Sequence, residues 1–128
     1  MGKKVLIVDN SDNSRMVFLH LLREAGYATA VATDGETAIR LARAGLPDLV
    51  VMDIHMPVMD GILAMRMLKT ERTTKNIPVI AITSYAFHGN EEMLLGEGFV
   101  ANIGKPLNPR LLITLVRAIL GRKTGGAA

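Results

Sequence analysis

The chain has no cysteine and no tryptophan. Without thiols, a disulfide framework and a thiol nucleophile are both excluded. Aromatic residues make up only 4 %, too few for a base-stacking surface. Lysine and arginine are scattered, so a formal net charge of +3 and a pI near 9.5 do not point to direct nucleic-acid binding. No apolar run is long enough to span a bilayer, and Lys3-Lys4 leads into a short run rather than a signal peptide. A myristoylation signal would need Ser or Thr at position six, which is Leu6. A cytoplasmic protein without a membrane partner is the default expectation. No internal repeat or low-complexity segment is present.

What is abundant is core material. Hydrophobic residues are 49 % of 128, enough for one domain and too short a chain for two. We expect that domain over residues 1–121 and a flexible tail over 122–128. The eight methionines scatter through core and loop positions and require no cofactor.

Apolar runs and helical stripes alternate along the chain. Val5 to Val8 reads as strand 1 and stops at Asp9-Asn10. Ser11, Asp12 and Asn13 are cap candidates for helix 1, whose Val17, Phe18, Leu21, Leu22 and Ala25 form one stripe. Gly26 ends that helix. Tyr27 to Ala32 is strand 2, an edge because it is short and less apolar. Thr33 or Asp34 caps helix 2, with Ala38, Leu41 and Ala42 inward and Gly45-Leu46-Pro47 as its stop. Leu49 to Asp53 is strand 3. Asp60 caps helix 3, about 61–70, and a polar loop follows to Asn76. Val79 to Thr83 is strand 4. Helix 4 lies around 90–96, weakened by Gly96 and Gly98. Val100 to Ile103 is strand 5, and Pro109 suits the first turn of helix 5, 109–120. Five strands alternating with five helices predict a parallel α/β sheet covered on both faces.

The stretch from Leu49 to Gly61 carries the functional weight. Leu49 to Met52 suits a strand buried on both faces. A carboxylate inside such a strand is costly to desolvate. At its C-terminal end Asp53 can face a crevice, where open α/β sheets bind ligands. Asp9, Thr83 and Lys105 also stand where strands end. In a parallel sheet those ends share one edge, so four residues distant in sequence converge. Taken singly, Asp9 is more often a helix cap or turn residue, Thr83 a strand residue with Ser84 as a rival, and Lys105 plain surface. Their joint order favours a site.

Met52-Asp53-x-x-Met56-Pro57-x-Met59-Asp60-Gly61 resembles the phosphoacceptor strand and loop of response-regulator receiver domains. The resemblance extends from Lys3 to about Leu120. It implies a flavodoxin-like, doubly wound sheet of strand order 2-1-3-4-5. It also implies that Asp53 accepts a phosphoryl group from a phosphohistidine on a sensor histidine kinase or histidine phosphotransferase. A carboxylate can do so as a nucleophile, forming an acyl phosphate. Mg²⁺ would sit between the anions, held by Asp9, Asn10, Asp53 and the backbone carbonyl of His55. Lys105 would place an ammonium, and Thr83 a hydroxyl, on the phosphoryl oxygens. Such a protein is a phosphoacceptor rather than an enzyme in the ordinary sense. It signals when phosphorylation shifts a two-state population toward one that docks a downstream protein.

Two positions depart from the family pattern. Strand 1 usually ends in two acids, and here the second is Asn10, which predicts millimolar Mg²⁺ affinity. Asn102 stands where the family commonly has Tyr or Phe, so the usual aromatic readout is absent. Thr83 and the loop Tyr85-Ala86-Phe87 then carry the signal, or the switch is weak. His55 and Tyr85, two residues beyond Asp53 and Thr83, are expected to gate hydrolytic water and slow self-dephosphorylation. His20 is expected to be solvated and His88 to lie in a loop. Helix 5 is apolar nearly all round, which leaves a face for a partner or a homodimer, or scattered surface apolars.

Other readings exist. One is an interaction module of the same fold that is never phosphorylated, which Asn10 and Asn102 favour. A flavin or small-molecule domain would want a Gly- or Ser/Thr-rich anion loop after strand 1, whereas Asp9-Asn10-Ser11-Asp12 is acidic. A haloacid-dehalogenase-like phosphatase would need its nucleophile on strand 1 and an acid two residues on, where Ser11 stands.

Overall fold

Alternation of inward residues on short apolar strands builds the centre of this molecule. The computed structural model describes residues 2–56, 59–83, 91–105 and 107–121. The strands are β1 Lys4–Val8, β2 Ala28–Ala32, β3 Leu49–Asp53, β4 Val79–Thr83 and β5 Ala101–Gly104. They form one sheet of order β2-β1-β3-β4-β5, with every neighbouring pair parallel. This is the doubly wound order expected from the resemblance. β3 and β4 are buried at every residue, as central strands covered on both faces must be. β2 is an edge strand, as its composition suggested.

Successive side chains on a strand face opposite ways, and two cores result. Leu6, Val8, Val50, Met52 and Ala81 pack with Ala38, Ala42, Met65, Leu68 and Leu94. These come from helices α2 Gly35–Gly45, α3 Gly61–Lys69 and α4 Glu91–Glu97. Val5, Ile7, Val51, Ile80 and Ile82 pack on the other face with Phe18, Leu22, Leu112 and Val116. Those belong to α1 Asp12–Glu24 and α5 Pro109–Val116, which continues as a wider π-helical turn over Arg117–Gly121.

Side chains start the helices. Ser11 accepts from the Ser14 N–H at 3.3 Å, Asp34 from Thr37 at 2.7 Å and Asp60 from Leu63 at 2.9 Å. Asn108 caps α5 just before Pro109, accepting from Arg110 and Leu111 at 3.0 and 3.2 Å.

The helix 1 stripe needs correction. Phe18 and Leu22 are buried, but Val17 is 46 % exposed. Adjacent helical residues point about 100° apart; with Phe18 aimed at the sheet, its neighbour turns away. On α2, Ile39 is buried beside Ala38 and Ala42, and Leu41 only packs at the margin. On α5, Leu111 is exposed while Leu112 and Val116 are buried, as is Leu120 in the turn that continues it. His20 is exposed. The expectations for Ser84, Tyr85, Ala86, Phe87, His88, the start of helix 4 at Asn90 and the tail 122–128 fall outside the described residues.

Candidate functional site

Parallel register assembles the site. Val8 pairs with Met52, Asp53 with Ile82, and Thr83 with Gly104. The ends of β1, β3, β4 and β5 therefore meet at one edge. Asp9 follows β1 directly, and its N–H donates to the Ala32 carbonyl at 3.1 Å. Lys105 follows β5, and its N–H donates to the Thr83 carbonyl at 2.8 Å. Asp9, Asp53 and Thr83 are buried polar residues at 1 %, 5 % and 6 % exposure.

The Lys105 ammonium links the two carboxylates. Its Nζ lies 3.3 Å from Asp9 Oδ2 and 3.3 Å from Asp53 Oδ2. The Asp53 contact is a hydrogen bond. The Asp9 contact is an ion pair without hydrogen-bond geometry, so Asp9 Oδ2 is buried with no hydrogen-bond partner. The other oxygens are held by local backbone. Asp9 Oδ1 accepts from the Ser11 N–H at 2.8 Å, and Asp53 Oδ1 from the His55 N–H at 2.8 Å. Burial raises the Asp9 pKa above the usual carboxylate value; the Ser11 N–H and Lys105 oppose this, and the Asp53 charge adds to it.

Glycine lets the start of α3 approach the Asp53 backbone closely. A Cβ at Gly61 would lie 2.5 Å from the Asp53 carbonyl oxygen and 2.6 Å from the Ile54 Cα. The Gly61 N–H donates to the Ile54 carbonyl at 3.2 Å. The start of α3 is thus pressed on the backbone that presents Asp53, and the Asp60-Gly61 pair of the sequence motif has a steric reason.

The remaining site candidates lie around this centre. Asn10 is exposed beside Asp9, and His55 is exposed beyond Asp53. Thr83 ends the strand next to Asp53. Gly104 stands opposite it, where an added Cβ would be 3.9 Å from the Thr83 hydroxyl. Asn102 is half-buried on β5 opposite Ala81, two register positions short of Thr83. Tyr85 is outside the described residues. Between α1 and the start of α5, Asn13, Ser14, Val17, Phe18, Lys105 and Leu107 line a groove of about 300 Å³.

Sequence reasoning missed two contacts. The Asp9–Ser11 bond has a local signal, since Asp two residues before a helix cap commonly accepts from the backbone. The Arg15 guanidinium donates to the Asp9 carbonyl at 2.9 Å, and no local pattern announced that.

A family profile described as the response regulator receiver domain matches residues 5–117. The chain belongs to the response-regulator receiver family. A polar-differentiation response regulator, DivK of Brucella ovis, is 36 % identical over 121 residues, covering 94 % of this chain and 98 % of DivK. The Vibrio cholerae chemotaxis protein CheY4 is 28 % identical with a TM-score of 0.86, covering 94 % of this chain and 100 % of CheY4. The receiver domain of a Pseudomonas aeruginosa sensor histidine kinase is 29 % identical with a TM-score of 0.85, covering 94 % of this chain and 99 % of that domain. Its crystal structure has a magnesium ion coordinated in the active site cleft. The receiver described here is thus a two-component signalling domain.

The donor set of this receiver fits a hard cation. Among the described residues no three His, Cys, Asp or Glu side chains converge as an all-protein metal cage. Two buried carboxylates do converge, one with an oxygen lacking any hydrogen bond. One or two carboxylates plus water is what Mg²⁺ takes. Among the described residues no helix is long and apolar enough to cross a membrane.

Proposed function

We propose that this receiver accepts a phosphoryl group on Asp53 from a phosphohistidine of a sensor histidine kinase or histidine phosphotransferase. One observation carries the reading: a single ammonium stands 3.3 Å from both Asp9 and Asp53 at the sheet edge. An Asp53 oxygen attacks phosphorus, the P–N bond breaks, and the electron pair leaves with the imidazole nitrogen. Lys105 then exchanges carboxylate contacts for the incoming phosphoryl oxygens, and Thr83 offers its hydroxyl to another. The Asn10 amide, the Asp9 and Asp53 carboxylates and the His55 carbonyl would hold Mg²⁺, which supplies charge neutralisation between nucleophile and phosphoryl group. Catalysis here is positioning and electrostatics, and the chain drives its own phosphorylation. The signal leaves by population shift toward a state that docks a downstream protein.

The test is acetyl phosphate with Mg²⁺ followed by intact-mass measurement. One phosphoryl group should add to the wild type and none to Asp53→Asn. An unmodified wild type would instead support the phosphorylation-independent interaction module, which Asn10 and Asn102 favour. Asn10 lowers the site's negative charge, so Mg²⁺ affinity should be millimolar, and Asn10→Asp should tighten it in a calorimetric titration. No change on that substitution would refute the assignment of residue 10 to the metal.

A further inference from the structure

The turn between β1 and α1 holds a cation that phosphoryl transfer does not use. Arg15 lies in the opening turns of α1 and reaches back over the turn. One guanidinium nitrogen donates to the Asp9 carbonyl oxygen at 2.9 Å, and the other pairs with the Asp12 carboxylate. The Arg15 side chain is 17 % exposed and that of Asp12 is 88 % exposed. The arginine is therefore drawn in against the turn, and Asp12 grips it from the solvent side.

That contact bears on the orientation of two expected metal donors. The peptide unit is planar and stiff. Pinning the Asp9 carbonyl fixes the plane that joins Asp9 to Asn10, and so the direction in which each side chain leaves the backbone. Asp9 Oδ1 is already engaged by the Ser11 N–H, which leaves Oδ2 as the oxygen turned into the site. With Asn10 an amide, Asp9 is the charged donor of this pair, and its angle matters more than it would beside a second acid. Groups behind a metal ligand commonly alter affinity by about tenfold or more through orientation.

We propose that Arg15 is a positioning residue for the divalent cation, acting through the Asp9 carbonyl and braced by Asp12. The inference rests on the phosphoacceptor reading of the site. Its sign separates it from a plain charge effect. A positive group near the site repels Mg²⁺, so by charge alone Arg15→Ala would tighten binding. As a positioning residue, its loss weakens binding.

The experiment is a Mg²⁺ titration of the full chain by calorimetry, with thermal unfolding in EDTA alongside. Arg15→Ala should weaken Mg²⁺ binding about tenfold. Arg15→Lys should recover part of the loss, because an ammonium can reach the carbonyl but cannot span to Asp12 as the guanidinium does. Asp12→Ala should weaken binding less than Arg15→Ala. If Arg15→Ala does not fold, the same comparison is read from Arg15→Lys and Asp12→Ala, both weaker than wild type. Unchanged or tighter Mg²⁺ affinity in the folded variants overturns the inference, including the case where only the EDTA melting point falls. A wild type that binds no Mg²⁺ overturns the metal-site reading as well, which distinguishes the two failures.

Discussion

Replacing Asp9 with asparagine should stabilise this protein in the absence of metal and make it deaf to Mg²⁺. Asp9 is 1 % exposed, and its Oδ2 has no hydrogen-bond partner. Its charge faces the Asp53 carboxylate across a single ammonium. Burial of the Asp9 charge outweighs its Lys105 ion pair and Ser11 hydrogen bond, a net cost of about 1–3 kcal/mol. Asparagine keeps an oxygen for the Ser11 N–H and removes the charge, but turns its amide NH2 toward the Lys105 ammonium, which offsets part of the gain. Lys105 loses one of two partners, so a net gain of about 1–2 kcal/mol is the reasonable expectation. In a domain of this size that is roughly 3–10 °C in melting temperature. Mg²⁺ at about 10 mM, bound with a millimolar constant, should stabilise the wild type by about 1.4 kcal/mol and the variant by nothing. The two melting temperatures should therefore approach each other as Mg²⁺ is added. Scanning calorimetry in EDTA and in Mg²⁺ reads this directly, which suits a chain without tryptophan. The pH dependence has a definite sign. Burial raises the folded pKa of Asp9, so the folded state holds this proton more tightly than the unfolded state. Its contribution to stability is best below the ordinary carboxylate value and is lost as pH rises through the raised one. The wild type should thus lose ground to the variant over that window. A variant that melts lower in EDTA would refute the reasoning, because it would mean that the Lys105 pair outweighs desolvation.

Three further outcomes follow from the geometry. Gly61→Ala should cost about 3 kcal/mol or more in denaturant unfolding, because its Cβ would stand 2.5 Å from the Asp53 carbonyl oxygen; a neutral result would mean that the start of α3 can shift away from that backbone at no cost. Leu46 ends α2 at φ 43° with its side chain 51 % exposed, so Leu46→Gly should stabilise by about 1 kcal/mol, and a lower midpoint would show that the leucine packs usefully. His55→Ala should shorten the lifetime of phosphorylated protein, measured by mass after donor removal, and a lengthened lifetime would reject the gating role.

The site was legible in part because each of its members ends a strand. An apolar run closing on Asp53, with an Asp60-Gly61 pair after it, is a local pattern with a steric and electrostatic meaning. The same holds for Ser11, Asp34 and Asp60 as caps, whose bonds reach only three residues ahead. Val17 was misplaced because apolar character says that a residue can be buried. Which residues of a stripe meet the sheet depends on how the helix is rotated against it.

Strand runs, stops and caps were written in the chain itself, because hydrophobic period and turn chemistry act within a few residues. Those patterns determined the alternating α/β elements and put acids at strand ends, and the receiver resemblance chose the strand order. Tertiary structure alone decided that one lysine serves two carboxylates, one of them 52 residues away. It alone left Asp9 Oδ2 with the Lys105 ion pair and no hydrogen bond, and brought Arg15 onto the Asp9 carbonyl. Such contacts depend on strand register, the length of each crossover and the reach of side chains across the sheet edge, and no short-range pattern encodes those distances.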